Sequence, residues 1–151
     1  MRIGVISDTH ATTIDDIPPQ VLTGLSGVDL IVHAGDITHQ AVLDGLRGIA
    51  EVKAVAGNMD SAELKRTLPQ REIFQVKGKR IGLIHGWGGP WGIAARIREL
   101  FTEVDLIIFG HSHEPWNQPV KGTPMFNPGR ARDSYGLITI NDEIRAELIR
   151  I

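Results

Sequence analysis

Five short apolar runs that end abruptly in Gly, Asp or His constrain the fold more than any other feature of the sequence. These predicted strands span residues 2–7, 30–33, 52–56, 80–84 and 106–109. Helices are predicted between them at 19–25, 39–47, 62–67 and 91–101, and the last has apolar residues along one face at Ile93, Ala94, Ile97, Leu100 and Phe101. Alternation of near-continuous apolar strands with helices is typical of an α/β sheet buried on both faces.

Two predicted hairpins indicate that antiparallel strands are present as well. Residues 72–76 and 79–84 flank a Lys77-Gly78 turn, and residues 135–140 and 144–151 flank a polar turn at 141–143. We therefore expect mixed sheets. The chain has 151 residues, which suits one domain covering 1–151.

Composition excludes several classes of function. Because cysteine is absent, disulfides, thiolate nucleophiles and thiolate metal sites are excluded. A net charge of -2 without a basic stripe argues against binding to long nucleic acids. The apolar start of the chain is too short, and meets charge too soon, to predict a signal peptide, and no apolar stretch reaches the length needed to cross a membrane, so we expect a cytoplasmic protein. A homodimer is possible because two-fold dimers are the commonest oligomers.

Polar side chains collect where the predicted strands end. In open α/β sheets the carboxyl ends of strands form ligand sites, because loops from separate strands converge there. Seven oxygen or imidazole ligands follow five of the strands: Asp8, His10, Asp36, Asn58, His85, His111 and His113. Seven ligands are too many for one tetrahedral ion and suit two ions that share one carboxylate.

Local spacing supports convergence of these ligands. Asp8 with His10, and His111 with His113, are i,i+2 pairs, and in an extended backbone such residues project to the same side. A glycine, free of a Cβ, directly precedes three of the predicted ligands, at Gly35, Gly57 and Gly110. The alternative for any single histidine is an ordinary core or surface side chain, but the full set favours a metal site.

The ligand types indicate the chemistry. Two divalent ions about 3.5–4 Å apart can each hold a phosphate oxygen and can lower the pKa of a water between them. Asp36 is the best candidate for the shared carboxylate. Mixed imidazole and carboxylate ligation suits Mn²⁺ first, with Fe, Zn or Ni as alternatives, better than Mg²⁺ or Ca²⁺. Two divalent ions carry more positive charge than the two carboxylates, Asp8 and Asp36, neutralise, and this excess favours an anionic substrate.

The ordered motifs resemble the calcineurin-like metallophosphoesterase family, and most of all its small bacterial and archaeal phosphodiesterase branch, which is related in fold to the retromer scaffold subunit. The matching elements are Asp8-Thr9-His10, Gly35-Asp36, Gly57-Asn58-Met59-Asp60, His85-Gly86 and Gly110-His111-Ser112-His113. The resemblance runs from residue 1 to about residue 129 and so covers most of the chain.

This resemblance implies a four-layer α/β/β/α sandwich with two mixed sheets inside and helices outside. It implies one metal ion held by Asp8, His10, Asp36 and His113, and a second held by Asp36, Asn58, His85 and His111. It further implies a phosphodiesterase acting on a small phosphate ester through a metal-bridging hydroxide, with Asp36 and Asn58 as catalytic residues and Asn58 also touching the substrate phosphate.

The chain departs from the family pattern at two positions. Many larger members carry a proton-donating histidine where this chain has Met59, which puts hydrolysis of esters with poor leaving groups in doubt. Relatives often have a second histidine where this chain has Trp87. Trp87 either stacks on a nucleobase or aromatic leaving group or, as we prefer, packs its loop against the next helix.

The roles of three further residues stay open. Arg130 either binds phosphate oxygens in a fork or is a surface arginine. His33 either orients a ligand or, as we prefer, is a satisfied residue at a strand end. Asp60 either supports the second metal site or, as we prefer, caps the following helix.

A non-catalytic function is the main alternative to an enzyme. A protein of this fold could serve as a metal-binding scaffold for a protein partner, because fold alone does not determine function. All seven predicted ligands are present, which favours the enzyme.

Overall fold

The computed structural model describes residues 1–151 and contains ten strands, four α-helices and a short 3-10 helix at Ile14–Asp16. The strands are β1 Arg2–Ile6, β2 Leu30–His33, β3 Glu51–Ala54, β4 Arg71–Val76, β5 Lys79–Ile84, β6 Leu106–Ile108, β7 Trp116–Val120, β8 Thr123–Asn127, β9 Ser134–Ile140 and β10 Ile144–Arg150. The helices are α1 Pro19–Leu25, α2 Gln40–Arg47, α3 Ala62–Thr67 and α4 Ile93–Arg98.

The strands form two mixed five-stranded sheets. The first has the order β10-β9-β1-β2-β3, in which β1, β2 and β3 are parallel and β9 and β10 are antiparallel to their neighbours. The second has the order β4-β5-β6-β8-β7, in which β5, β6 and β8 are parallel. Hairpin partners β4 and β7 form its two antiparallel edges.

Alternating side chains on the central strands divide the core into layers. Val5 and Val32 point into a cluster that also contains Ile81 and Ile108, so this cluster lies between the two sheets. Ile6, the next residue after Val5, belongs instead to a second cluster with residues of α1 and α2. Residues of α4 cover the outer face of the second sheet. Because strand side chains alternate between faces, this pattern produces the four-layer sandwich that was expected.

The structure corrects one sequence prediction about local structure and contains one hairpin that was not predicted. Helix α4 is shorter than 91–101, because Gly92 has a φ of 71°, which a right-handed helix cannot contain, and Leu100 is exposed beyond its end. The hairpin of β7 and β8 was not predicted at all. Its edge strand β7 contains Pro119 and exposed polar residues. Such residues are tolerated at a sheet edge, but they give no alternation of apolar and polar residues from which a strand could be predicted.

None of the helices combines the length and the apolar character needed to cross a membrane.

Candidate metal centre

Both sheets deliver polar residues to one shared edge of the sandwich. The seven predicted ligands follow the carboxyl ends of β1, β2 and β3 in the first sheet and of β5 and β6 in the second. Their side chains form two groups of possible ligands, with ligand atoms within 4.8 Å of one another: Asp8, His10 and His113, and Asp8, Asp36 and His85.

The first group is partly open to solvent. His113 Nε2 lies 3.4 Å from Asp8 Oδ1, and His10 Nε2 lies 4.0 Å from the same oxygen. His10 Nε2 is also 3.6 Å from Asp36 Oδ2. The buried carboxylates of Asp8 and Asp36 therefore face the two more exposed imidazoles.

The second group is deeper. His85 Nε2 lies 3.4 Å from Asp36 Oδ2 and 3.9 Å from Asp8 Oδ1. Asn58 Oδ1 lies 3.1 Å and His111 Nδ1 3.3 Å from the same nitrogen. Asp36 Oδ2 thus stands between His10 and His85, which is the position expected of a shared ligand.

The predicted ligand pairs converge, but not through the extended backbone that we expected. Asp8, His10, Asp36, His111 and His113 all have positive φ values, between 45° and 69°. Non-glycine residues adopt this left-handed region uncommonly, and it costs on the order of 1–3 kcal/mol each when bulky side chains are held there. The strand ends therefore hold five ligands in strained turns, and such strain is typical of functional sites.

Backbone carbonyls fix which nitrogens of two imidazoles face the centre. His85 Nδ1 lies 2.7 Å from Ala34 O, and His111 Nε2 lies 2.9 Å from Gly88 O. A carbonyl oxygen only accepts, so these nitrogens carry the hydrogens and donate. The opposite nitrogens, His85 Nε2 and His111 Nδ1, then face one another at 3.3 Å. Only a proton or another cation between them removes the repulsion of their lone pairs.

Burial and neighbouring charges shift the pKa values of Asp8, Asp36 and His85. Burial raises the pKa of Asp8, a residue only 2% exposed, against the opposing charge of His85. Burial would also raise the pKa of Asp36, but the hydrogen bond and charge of His85 hold it down to about 2. Burial would lower the pKa of His85, yet the hydrogen bond to Asp36 and the charge of Asp8 raise it. The two carboxylates therefore favour a positive charge at the His85 position.

The cluster fits a divalent cation. Asp8 Oδ1 is buried and has no hydrogen-bond partner, although an oxygen of this kind is costly to leave unsatisfied. The ligand atoms around it are oxygens and imidazole nitrogens, a donor set that suits Mn, Fe or Zn. An unsatisfied buried oxygen surrounded by converging acceptors is what a site built for a cation presents.

Close packing explains all three glycines that precede predicted ligands, and a Cβ on Gly110 would collide with Ser7 Oγ. A Cβ on Gly57 would collide with Asp36 Oδ1, and one on Gly35 would lie 2.6 Å from His85 Nδ1. Gly35 also has a φ of 101°, which favours glycine. These glycines allow the backbone to approach the predicted ligands.

Asp60 supports the centre, and our preferred prediction that it caps a helix is wrong. Ser61 caps α3 by accepting from Leu64 N at 3.2 Å. The Asp60 side chain is buried, with the residue 5% exposed, and its carboxylate accepts from the backbone N–H groups of Asp36, Thr38 and Gly57 at 3.2, 2.6 and 2.7 Å. It therefore joins the loops after β2 and β3, which carry Asp36 and Asn58. Asp60 belongs to the motif Gly57-Asn58-Met59-Asp60, but its position shortly before the predicted helix 62–67 also fitted a helix cap.

His33 is the satisfied strand-end residue that we preferred. Its Nδ1 accepts from Gly35 N at 3.0 Å, and its Nε2 lies 3.2 Å from Thr9 Oγ1. Burial, followed by the charge of His85, lowers the pKa of His33 to about 3. The side chain is therefore neutral and braces the turn before Asp36.

Trp87 and Asn58 line the same cavity. Trp87 is 44% exposed and borders a cavity of about 430 Å³ that Asn58 and His85 also line. Arg96 of α4 lies 5.7 Å from the Trp87 ring centroid and donates to the Trp87 and Gly89 carbonyls at 2.6 and 2.7 Å. Trp87 therefore both packs its loop onto the helix and faces the cavity.

Arg130 pairs with Asp133 through Nε at 3.0 Å and Nη2 at 2.8 Å. This pair occupies one side of the guanidinium fork, so the phosphate-binding role of Arg130 stays a prediction.

Comparisons with known proteins agree with the fold. The sequence matches the calcineurin-like phosphoesterase superfamily domain over residues 1–141, which include all seven predicted ligands. It is 38% identical to a probable metallophosphoesterase of Methanocaldococcus jannaschii, over 100% of this chain and 82% of the relative. A probable metallophosphoesterase of Methanothermobacter thermautotrophicus is 39% identical, over 99% of this chain and 92% of the relative. The crystal structure of Entamoeba histolytica Vps29 complexed with Zn²⁺ has a TM-score of 0.76 and 27% identity, covering 99% of both chains.

Proposed function

This chain belongs to the calcineurin-like phosphoesterase superfamily, and we propose from that premise that it is a two-metal phosphodiesterase. The observation that carries the proposal is the set of acceptor atoms that converge on His85 Nε2 without a donor among them. Asp36 Oδ2, Asn58 Oδ1 and His111 Nδ1 all lie within 3.4 Å of this nitrogen. Acceptors brought together in this way indicate a cation.

Two ions would be held by the seven ligands, with Asp36 between them. Asp8, His10 and His113 would complete one site, and Asn58, His85 and His111 the other. When bound, the ions supply Lewis-acid chemistry, which neutralises phosphate charge and lowers the pKa of water at the site. The relationship to a Vps29 that binds Zn²⁺ supports metal binding by this fold, and Mn²⁺ as the working metal stays a prediction from the ligand types.

The protein's own groups would orient the ester. The Asn58 side chain directs Oδ1 toward His85 and leaves its Nδ2 available to donate to a phosphate oxygen. Fixed donors that meet developing negative charge typically contribute several kcal/mol to catalysis. The cavity beside Asn58 has room for a second ester substituent, which supports a diester over a phosphate monoester.

The leaving group would receive no proton from residue 59. Met59 is 59% exposed and carries no titratable hydrogen, while its backbone N–H donates to Asp36 Oδ1 at 2.9 Å. Because general acid help is typically worth about 10²–10⁴-fold, the enzyme would favour alcohols that leave readily as anions. Hydrolysis adds water to phosphorus and releases the alcohol, with one P–O bond formed and one broken.

The test uses a diester and a monoester that share a leaving group. Metal-free protein reloaded with Mn²⁺ is assayed with bis(p-nitrophenyl) phosphate and p-nitrophenyl phosphate, with Asp36→Asn as the control. Metal-dependent diester hydrolysis that is lost in the variant supports the proposal. Absence of turnover by protein that has bound two ions per chain rejects it.

A protein-binding module is the second candidate. It is favoured by an apolar cavity of about 600 Å³ that Trp91 and Trp116 border, with Trp91 90% exposed. Exposed apolar surface of this kind often marks an interaction site. The same assay separates the two functions, since a module without catalysis binds metal but turns over neither ester. The cytoplasmic location and the homodimer stay predictions from the sequence.

A further inference from the structure

The cavity that Asn58 and His85 share with Trp87 has a positive end. Lys65, on the last turn of α3, and Gln70, just after that helix, also line it. The remaining lining residues are small or aliphatic, and none is acidic. Beyond the predicted ligands, the only charge on this cavity is therefore the Lys65 ammonium.

The Lys65 ammonium has no carboxylate partner of its own. Lys53 pairs with Glu72 at 3.4 Å and Lys121 with Glu99 at 2.7 Å, whereas Lys65, like Lys77 and Lys79, forms no ion pair. Of the three unpaired lysines, Lys65 is the one that lines this cavity. An unpaired lysine bordering a cavity is a point charge with three donors that an incoming anion can use.

The size of the cavity restricts what can occupy it. A volume of about 430 Å³ lies in the range of small-molecule sites. Its Asn58 and His85 lining reaches the proposed metal centre, so a molecule whose phosphate lies at the centre would extend its substituent along Trp87 toward Lys65 and Gln70. The loop carrying Trp87 is held by Arg96, so this wall is already formed.

We propose that Lys65 is a specificity residue that selects phosphate esters carrying a second anionic group, such as a carboxylate, on the substituent in this cavity. This inference rests on the proposed function, because the ester phosphate must occupy the metal centre. An ion pair at an exposed position is modest, so we expect a preference of about two- to fivefold for the charged substituent. Added salt should reduce this preference, because the pair is open to screening.

The test compares esters that differ by one charge. Propyl p-nitrophenyl phosphate and 2-carboxyethyl p-nitrophenyl phosphate share the leaving group, and longer carboxyalkyl esters sample the distance to Lys65. We expect the Mn²⁺-loaded protein to have a KM about two- to fivefold lower for the best carboxyalkyl ester than for the propyl ester, and the two KM values to converge in Lys65→Gln. Lys77→Gln, which changes a lysine in the turn between β4 and β5, is the matched control and should keep the preference.

A binding measurement separates failure of this inference from failure of the proposed function. Calorimetry with 3-phosphonopropionate and propylphosphonate should show the same Lys65-dependent preference without any turnover. If no ester is hydrolysed but this preference is present, the proposed function fails and the anion site stands. If the esters are hydrolysed with equal KM values, or if the preference survives in Lys65→Gln, the Lys65 assignment is overturned and the phosphodiesterase stands.

Discussion

Replacing Asp60 with asparagine should destabilise the protein, although Asp60 is not one of the seven predicted ligands. Its carboxylate accepts three backbone N–H groups, from Asp36, Thr38 and Gly57. In Asp60→Asn one oxygen becomes an NH₂ group, which turns a donor toward at least one of these N–H groups. Hydrogen bonds to charged groups contribute about 1.5–3 kcal/mol each, so one lost bond and weakening of the others should cost about 2–4 kcal/mol.

Thermal and urea unfolding of the metal-free protein measure this cost. For a domain of this size the expected loss corresponds to a Tm lower by roughly 5–15 °C. Asp105→Asn is the matched control, because Asp105 accepts a single N–H, from Arg80 at 2.8 Å, in an exposed position. That variant should lose less than about 1 kcal/mol, because the asparagine oxygen can still accept this single N–H at an exposed position.

Metal affinity gives a second readout of the same substitution. Because Asp60 holds the backbone of Asp36 in place, Asp60→Asn should weaken Mn²⁺ binding by about 10–100-fold, and Asp105→Asn should leave it near the wild-type value. Equal stability and equal metal affinity in the two variants would refute the view that Asp60 organises the centre.

Three further substitutions test separate parts of the account. Between pH 6.5 and 4.5 the wild-type protein should lose about 2 kcal/mol of stability relative to His33→Asn. In this pH range the histidine of the unfolded chain binds a proton, whereas the folded His33, with a pKa of about 3, does not. Urea-unfolding free energies of the two proteins that change in parallel with pH would exclude this. Gly57→Ala should weaken Mn²⁺ binding tenfold or more by displacing Asp36, whereas Gly89→Ala, whose Cβ would meet no atom within 4 Å, should bind normally in the same calorimetric titration. Arg130→Ala should raise KM for bis(p-nitrophenyl) phosphate several-fold if the arginine binds phosphate, and an unchanged KM rules that role out.

Much of the fold could be predicted because its central strands and helices carry their own patterns. Strand β2 and helices α1 and α3 have the predicted bounds, since apolar runs and helix boundaries are local signals. The hairpin of β7 and β8 could not be predicted, because β7 pairs on one side only and its exposed positions need no apolar residues. Helix α4 was overestimated at both ends, because Gly92 precedes its first residue and the apolar spacing continues to Leu100 and Phe101, beyond its last residue Arg98.

The candidate site could likewise be predicted only in part from the sequence. The ligand motifs lie directly after strands, so their meeting at one edge follows from sheet topology. The left-handed backbone at Asp8 and His113 has no such local signal, because nothing in those residue types requires it. The roles of Asp60 and Lys65 depend on loops and cavities that form only when separate elements pack together.

One titration tests the central claim most directly. Mn²⁺ is added stepwise to the metal-free protein, and bound metal per chain and bis(p-nitrophenyl) phosphate hydrolysis are measured on the same samples. We expect two ions per chain, with hydrolysis rising as the second ion binds and with neither second-ion binding nor hydrolysis in Asp36→Asn. Saturation at one ion, or two bound ions without hydrolysis, would contradict the account of a two-metal phosphodiesterase.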